Sequence, residues 1–172
     1  MRSPPFLAVA FVMVAAVTST SCFDPEHKDE VNALGGETNG VRTGPLHRPG
    51  QPCRVCHGGS GPGKPEFSIA GTIYANRDKG TPKPGVSVTI TDVTGDHRTL
   101  TSNEAGNFYM SIDQWSPTFP VNVNLAFDGL TPAELKSQLQ MQTPIGRNGG
   151  CGFCHYGADG EPSHMPPVFL LP

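Results

Sequence analysis

The sequence predicts a mainly β protein with the architecture of a Greek-key β-sandwich. Between residues 67 and 127, apolar and polar side chains alternate in four short segments, which is the pattern of half-buried strands. Glycine, proline, asparagine and aspartate cluster between these segments and mark turns. The chain has 21 glycines and 18 prolines among its 172 residues, so regular helix should be scarce. Short strands at this spacing are typical of antiparallel sandwiches with Greek-key connections.

Each predicted strand is defined by its alternating apolar positions. These are Phe67, Ile69 and Ile73 in the first strand, Val86, Val88 and Ile90 in the second, Phe108, Met110 and Ile112 in the third, and Val121, Val123, Leu125 and Phe127 in the fourth. A last apolar run, Val168 to Leu171, is a candidate for a closing strand. We expect the turns at residues 76–80, 82–85, 94–96 and 103–106.

One short helix is predicted from Thr131 onward. Thr131 is a suitable N-cap, Pro132 suits the first helical position, and Glu134 completes a capping box three residues after the cap. Leu135 and Leu139 then form an apolar stripe on one side of the helix. This stripe is expected to pack against the core.

The N-terminal segment predicts export. Arg2 precedes an uninterrupted apolar run at residues 6–17, which is too short to span a bilayer comfortably. Residues 1–21 are therefore assigned to a signal peptide. Small polar residues and then Cys22 follow, and this arrangement resembles a bacterial lipoprotein signal, which is cleaved before a cysteine that becomes lipidated.

The lipoprotein resemblance implies a lipid on Cys22. Ser19 stands where the family prefers leucine, so ordinary cleavage near Ser21 remains the alternative. Phe23, directly after the cysteine, favours sorting to the outer membrane. Residues 22–46 are expected to form a flexible tether with at most a single helical turn, because their acidic and glycine-rich composition cannot bury enough apolar surface to fold alone.

Two copies of the pattern C-x-x-C-H, at residues 53–57 and 151–155, predict two covalently attached haem c groups. The two intervening residues separate the thiols so that both can form thioether bonds with one porphyrin, and the adjoining histidine then lies beneath the iron. The cofactor-binding residues are Cys53, Cys56 and His57 at the first site, and Cys151, Cys154 and His155 at the second. His57 and His155 are the expected proximal iron ligands.

Loops are expected to hold both sites. Three prolines at residues 45–52 and a glycine-rich run at residues 58–63 suppress helix around the first motif, and glycines at residues 145–150 approach the second. Haems held in this way commonly take a second histidine.

The candidate distal iron ligands are His47, His164 and Met165. His47 lies closest to the first motif in sequence. His27 and His97 are weaker candidates, because the first falls in the tether and the second in a predicted hairpin turn.

The number of cysteines agrees with this assignment. Five cysteines in an exported chain leave one unpaired under any disulfide scheme, whereas four for haem and one for lipid leave none. With its two C-x-x-C-H motifs, the chain resembles a dihaem c-type cytochrome.

Three further blocks carry a second resemblance. They are residues 70–74 (AGTIY), 82–90 (PKPGVSVTI) and 101–108 (TSNEAGNF), and they resemble the carboxypeptidase regulatory-like domain over residues 67–127. The resemblance implies a transthyretin-like β-sandwich that acts as a scaffold and carries no catalytic residues. The expected organisation is a signal peptide (1–21), a lipid-anchored tether (22–46), a first haem-binding loop (47–66), the sandwich (67–130), and a segment with a short helix, the second haem-binding loop and the closing strand (131–172).

These observations predict a protein that transfers electrons in the bacterial cell envelope, periplasmic or at the cell surface, and lipid-anchored to the outer membrane. Its partners would be redox proteins; a monomer is the default, although haem-stacked assembly is conceivable. A net charge of −3 supplies no basic surface for nucleic acid. The alternatives are a peroxidase-like haem enzyme or sensor with one open iron site, a zinc protein with a four-cysteine site, and a thiol–disulfide oxidoreductase.

Overall fold

The structure is a computed structural model that describes residues 25–37, 40–41, 43–76, 80–128, 141–155 and 165–170. It is mainly β, with two antiparallel sheets and a few short helices. The strands are β1 (Phe67–Thr72), β2 (Ser87–Asp92), β3 (His97–Thr101), β4 (Asn107–Ser111) and β5 (Val121–Ala126). The helices are α1 (Pro25–Ala33), α2 (Cys53–His57) and a 3₁₀ helix (Cys151–Phe153). The predicted β class is therefore confirmed.

The two sheets contribute to one hydrophobic core. β1 pairs with β4, and β2 lies between β3 and β5 in the second sheet. Val88 and Ile90 of β2 are completely buried, as is Ile69 of β1. The core also takes in Ile73, Val86, Phe108, Met110, Trp115, Val121, Val123, Ile145 and Leu170. This arrangement is consistent with a β-sandwich, and the four predicted strands match β1, β2, β4 and β5.

β3 was not predicted, and His97 lies at its start instead of in a hairpin turn. The strand alternates between exposed and half-buried residues, and Leu100 is its one apolar side chain. It forms because β2 offers a pairing edge in full register, supplemented by a hydroxyl contact of 3.0 Å between Thr89 and Thr99. Such pairing leaves almost no hydrophobic signal in the sequence.

The segment predicted to be an extended tether instead contains the nine-residue helix α1. The segment directly after the helix is held by Arg48, whose guanidinium donates to the carbonyl oxygens of Gly35 (2.7 Å) and Leu34 (3.4 Å) and to the carboxylate of Glu37 (3.0 Å). The helix is therefore stabilised by tertiary contacts that its own composition does not predict. Among the described residues, no helix is long and apolar enough to cross a bilayer.

Three other predictions concern the helix from Thr131, the closing strand and the loop around the first motif. The helix predicted from Thr131 lies outside the described residues. The closing strand is reduced to one parallel bridge between Tyr74 and Phe169, with the amide of Leu170 donating to the Tyr74 carbonyl (3.2 Å). The first C-x-x-C-H motif, expected in a loop, forms helix α2.

The buried carboxylate of Asp92 organises the turn between β2 and β3. Its Oδ1 accepts hydrogen bonds from the hydroxyl and the amide of Thr94 (2.6 and 2.8 Å) and from the amide of Asp96 (3.1 Å). Its Oδ2 accepts from the amide of Thr118 (3.0 Å). These hydrogen bonds, that of the Thr94 hydroxyl above all, lower the pKa of Asp92.

Replacing Asp92 with asparagine is expected to lower the urea midpoint of unfolding at neutral pH, because an amide cannot accept hydrogen bonds at both positions. The pKa of Asp92 is lower in the folded protein than in the unfolded chain, where it is about 3.9. The carboxylate therefore stabilises the fold above that unfolded pKa, and this stabilisation is lost as the pH falls through the pKa of the folded state. The difference between wild type and Asp92→Asn should therefore shrink below about pH 4. Asp113→Asn, at an exposed position, is the control. Equal midpoints at neutral pH would contradict the role given to Asp92.

Candidate functional site

The structure places the two C-x-x-C-H motifs side by side. A Cβ atom added to Gly152 would lie 2.8 Å from Cα of Pro52, so the backbone of the second motif is in direct contact with the residue that precedes the first. The Arg54 guanidinium crosses the junction and donates to the carbonyl of Arg147 at 3.0 Å. The two predicted sites, far apart in the sequence, are thus adjacent in the fold.

β1 provides the surface on which the motifs meet. The amide of Ala70 donates to the carbonyl of Gly149 (3.1 Å), and Ala70 forms a parallel bridge with Gly150, directly before the second motif. Gly71 allows the close packing of Cys151, since a Cβ atom on Gly71 would lie 2.9 Å from that of the cysteine. One edge of β1 pairs with β4, and the other edge is therefore occupied by the residues that directly precede the second motif.

Local helical structure orients the candidate ligating groups. In α2, Cys53, Cys56 and His57 are spaced i, i+3 and i+4, so they share one face of the helix. Pro52 precedes the first turn and Gly58 follows the last. In the second motif, the 3₁₀ helix likewise brings the cysteines at i and i+3 to one side.

Both motif histidines have the same hydrogen-bonded state. Nδ1 of His57 lies 2.8 Å from the carbonyl oxygen of Pro65, and Nδ1 of His155 lies 2.6 Å from that of Pro166. Because a carbonyl can only accept, Nδ1 must carry the proton in each ring, which leaves the lone pair on Nε2. A histidine that binds a metal through Nε2 commonly has this second interaction. The sequence analysis missed both partners, although a proline follows each motif.

The imidazole of His57 is held between two neighbours. The ring of Phe67 stacks on it at a centroid distance of 4.2 Å and an interplanar angle of 12°. A Cβ atom on Gly63 would lie 2.9 Å from three atoms of the same imidazole, so Gly63 packs on the face that Phe67 leaves uncovered. Phe67 in turn stacks on Tyr109 at 4.7 Å. These contacts fix the plane of the ring.

Replacing Gly63 with alanine is expected to displace the His57 ring and to lower the free energy of unfolding by roughly 1–3 kcal/mol, the usual cost of overpacking. The measurement is urea unfolding, together with the visible spectrum of any bound haem. Gly146→Ala is the matched control, because nothing lies within 4 Å of the added Cβ. If Gly63→Ala unfolds at the same midpoint as Gly146→Ala, the packing role is wrong.

A cavity of about 790 Å³ adjoins the first motif. Its walls come from α2, from the loop that carries His47, from β1 and β4, and from the end of α1. Cys53, Cys56, His57 and His47 all line it. The volume lies within the range of about 300–1,000 Å³ that is usual for cofactor sites. Two thiols and two imidazoles on one largely apolar cavity are a donor set that fits haem c.

All four motif thiols are free, and three of them resist ionisation. Burial raises the pKa of Cys53 to about 11 and that of Cys151 to about 12, and burial also raises the pKa of Cys56. Reactive dithiols of oxidoreductases need a lowered pKa. The raised pKa values of Cys53 and Cys56 in the first motif, and of Cys151 in the second, therefore do not fit thiol–disulfide exchange.

The four sulfurs do not form a cluster for a metal ion. Cys53 is close enough to Cys151 to contribute to the raised pKa of that thiol. Nevertheless, no group of three or more histidine, cysteine or acidic side chains in the described residues, which include all four motif cysteines, could hold a metal. The zinc alternative thus has no support from the geometry.

Of the candidate distal ligands, His47 lies beside the first motif and Met165 beside the second. The ring centre of His47 lies 5.8 Å from that of His57. Met165 lies beside the second motif, where its amide donates to the carbonyl of Cys154 (2.8 Å), and its side chain is 43% exposed. His164 and Cys22 lie outside the described residues.

No family model, curated protein or solved structure matches the chain.

Proposed function

We propose that the chain is a dihaem c-type cytochrome that transfers electrons in the bacterial cell envelope. The observation that carries the proposal is the meeting of two C-x-x-C-H motifs, each with its histidine Nδ1 hydrogen-bonded to a proline carbonyl. Such pairing leaves two Nε2 atoms available as metal ligands.

Each motif would hold one haem through its own side chains. The thiols of Cys53 and Cys56, and those of Cys151 and Cys154, would form the thioether bonds. His57 and His155 would bind iron through Nε2. When bound, haem c supplies a one-electron couple between ferric and ferrous iron. The contact between Gly152 and Pro52 keeps the two attachment sites adjacent, which suits a protein that passes electrons between two centres.

The scaffold is proposed to be the Greek-key sandwich of the carboxypeptidase regulatory-like domain. The sheet orders β1-β4 and β3-β2-β5, with a shared core, support a sandwich of this general kind. In this protein the edge of β1 that does not pair with β4 would hold the second haem motif beside the first.

The proposed location is the outer membrane, on its periplasmic or external face, with a lipid on Cys22. The apolar run at residues 6–17 followed by that cysteine supports export and lipidation. Redox proteins are the proposed partners, and nucleic acid is not. We expect a monomer by default, with haem-stacked assembly as a further possibility to test by sedimentation.

A haem enzyme or sensor is the second candidate, and its open iron would belong to the second site. Cys154 is exposed there, and the side chain of Met165 is nearly half exposed. The first motif, in contrast, lines a cavity that several elements surround, namely α1, α2, the His47 loop, β1 and β4. Solvent access at the second site would admit a small ligand.

The visible spectrum of the purified protein, with a pyridine haemochrome assay and intact mass, tests the proposal. We expect two covalent haems per chain and low-spin bands in both oxidation states. A high-spin fraction that binds carbon monoxide after reduction would favour the enzyme or sensor. Absence of covalent haem from protein produced in a host that matures c-type cytochromes would overturn both.

A further inference from the structure

We infer that His47 and His57 bind the same iron atom from opposite sides, so that the first site has two imidazole ligands. This inference rests on the proposed function and deepens it. His57 is fixed by its place in the attachment motif. What the structure adds is the position of His47, from a separate loop, on the same cavity.

The separation of the two rings is the first argument. Their centroids lie 5.8 Å apart and their planes are inclined by 41°. The bond from a metal to an imidazole nitrogen is about 2 Å, so two imidazoles on opposite sides of one metal have centres about 6 Å apart. The observed spacing matches that requirement. It is also wider than the 4.2 Å stack of His57 on Phe67, so His47 is not a further member of that stack.

The hydrogen bonding of His47 is the second argument. Its Nδ1 lies against the backbone of Gly44, with a short contact to the carbonyl oxygen and a hydrogen bond from the amide at 3.3 Å. The backbone of Gly44 therefore occupies the Nδ1 side of this ring, as the carbonyl oxygen of Pro65 occupies Nδ1 of His57. In both rings Nε2 is the nitrogen that remains for a metal, and both residues line one cavity.

The anchoring of the His47 loop is the third argument. The amide of Asn107, a buried residue of β4, donates to the carbonyl oxygens of His47 (3.1 Å) and Pro45 (3.3 Å). Asn103 also donates to the Pro45 carbonyl (2.7 Å), and Thr72 of β1 donates to Oδ1 of Asn107 (2.7 Å). The loop is therefore fixed to both strands of the first sheet. The position of the His47 backbone beside the cavity is therefore set by the sheet.

The other candidate ligand in the described residues belongs to the second site. Met165 is tied to Cys154 through a backbone hydrogen bond. His97 lies on the exposed strand β3. His27, on α1, is not among the residues that line the cavity, whereas His47 is. This distribution leaves His47 as the partner of His57.

The test compares His47→Ala with wild type in the full-length protein loaded with haem. We expect two covalent haems per chain to remain, while one haem becomes high-spin and binds one equivalent of carbon monoxide after reduction. Added imidazole should restore the low-spin spectrum. His97→Ala is the matched control and should behave as wild type.

A second variant keeps the inference testable if His47→Ala does not fold. His47→Met supplies a sulfur ligand of similar volume and should raise the potential of one haem in a redox titration. An unchanged spectrum in His47→Ala with two haems attached would overturn the assignment of His47. If His47→Ala is not recovered, an unchanged redox titration of His47→Met would overturn it. Absence of haem from the wild type would instead refute the proposed function.

Discussion

Replacing Cys151 and Cys154 together with alanine is expected to halve the covalently attached haem. The thiols of one motif can serve only one porphyrin, and α2 holds the first set on its own helical face. Cys53 and Cys56 should therefore keep their haem in this variant. Intact mass should fall by the mass of one haem, and the pyridine haemochrome should fall by half.

The reciprocal pair, Cys53→Ala with Cys56→Ala, is the matched variant and should also retain one haem. The quadruple variant should retain none. Cys151 packs directly against Gly71 of β1, so its replacement could disturb the sheet. Far-ultraviolet circular dichroism of each variant checks that the sheets are intact. Two haems in either double variant would show that the altered motif is not an attachment site.

The strands that could be predicted are those whose burial alternates. Val88 and Ile90 lie at alternate positions on the buried face of β2, and the alternation of apolar and polar residues in the sequence reflects that burial directly. β3 could not be predicted, because an edge strand held mainly by backbone pairing carries only Leu100 as an apolar residue. Helix α1 was missed for a related reason, since the contacts of Arg48 that hold it come from a distant loop.

The side chains of the candidate site could be read from the sequence, but their assembly in the fold could not. The C-x-x-C-H pattern predicts thiols and imidazoles at fixed spacing. The contact between the motifs, however, depends on a backbone bridge between Ala70 and Gly150 and on close approaches at Gly71 and Gly152. In a chain with 21 glycines, these glycines do not show which segments will meet. The hydrogen bonds to Pro65 and Pro166 are also backbone contacts, and their sequence separations from the histidines differ.

The docking of α1 changes the role expected for the N-terminal segment. Val31 and Leu34 line the cavity of the first motif, so this segment acts as a wall of the site. Arg48 and Gln51 join the wall to the loop that carries His47, with Gln51 donating to the Leu34 carbonyl at 3.3 Å. A spacer would separate the proposed lipid from the proposed haem, whereas this segment would hold the two close together.

Replacing Cys22 with alanine is expected to move nearly all of the protein from the membrane to the soluble envelope fraction. Cys22 is three residues from Pro25, where α1 begins, and three extended residues span at most about 11 Å. A lipid on Cys22 would therefore hold the first site close to the membrane surface, within reach of a membrane-bound redox partner.

The measurement is fractionation of the envelope, followed by mass spectrometry of the N-terminal peptide. The variant should still carry two haems, because both motifs are intact, and wild type processed in parallel should remain in the membrane. Retention of Cys22→Ala in the membrane would contradict the lipid anchor. In that case attachment would have to come from a partner protein or from the uncleaved apolar run, and the peptide mass distinguishes the two.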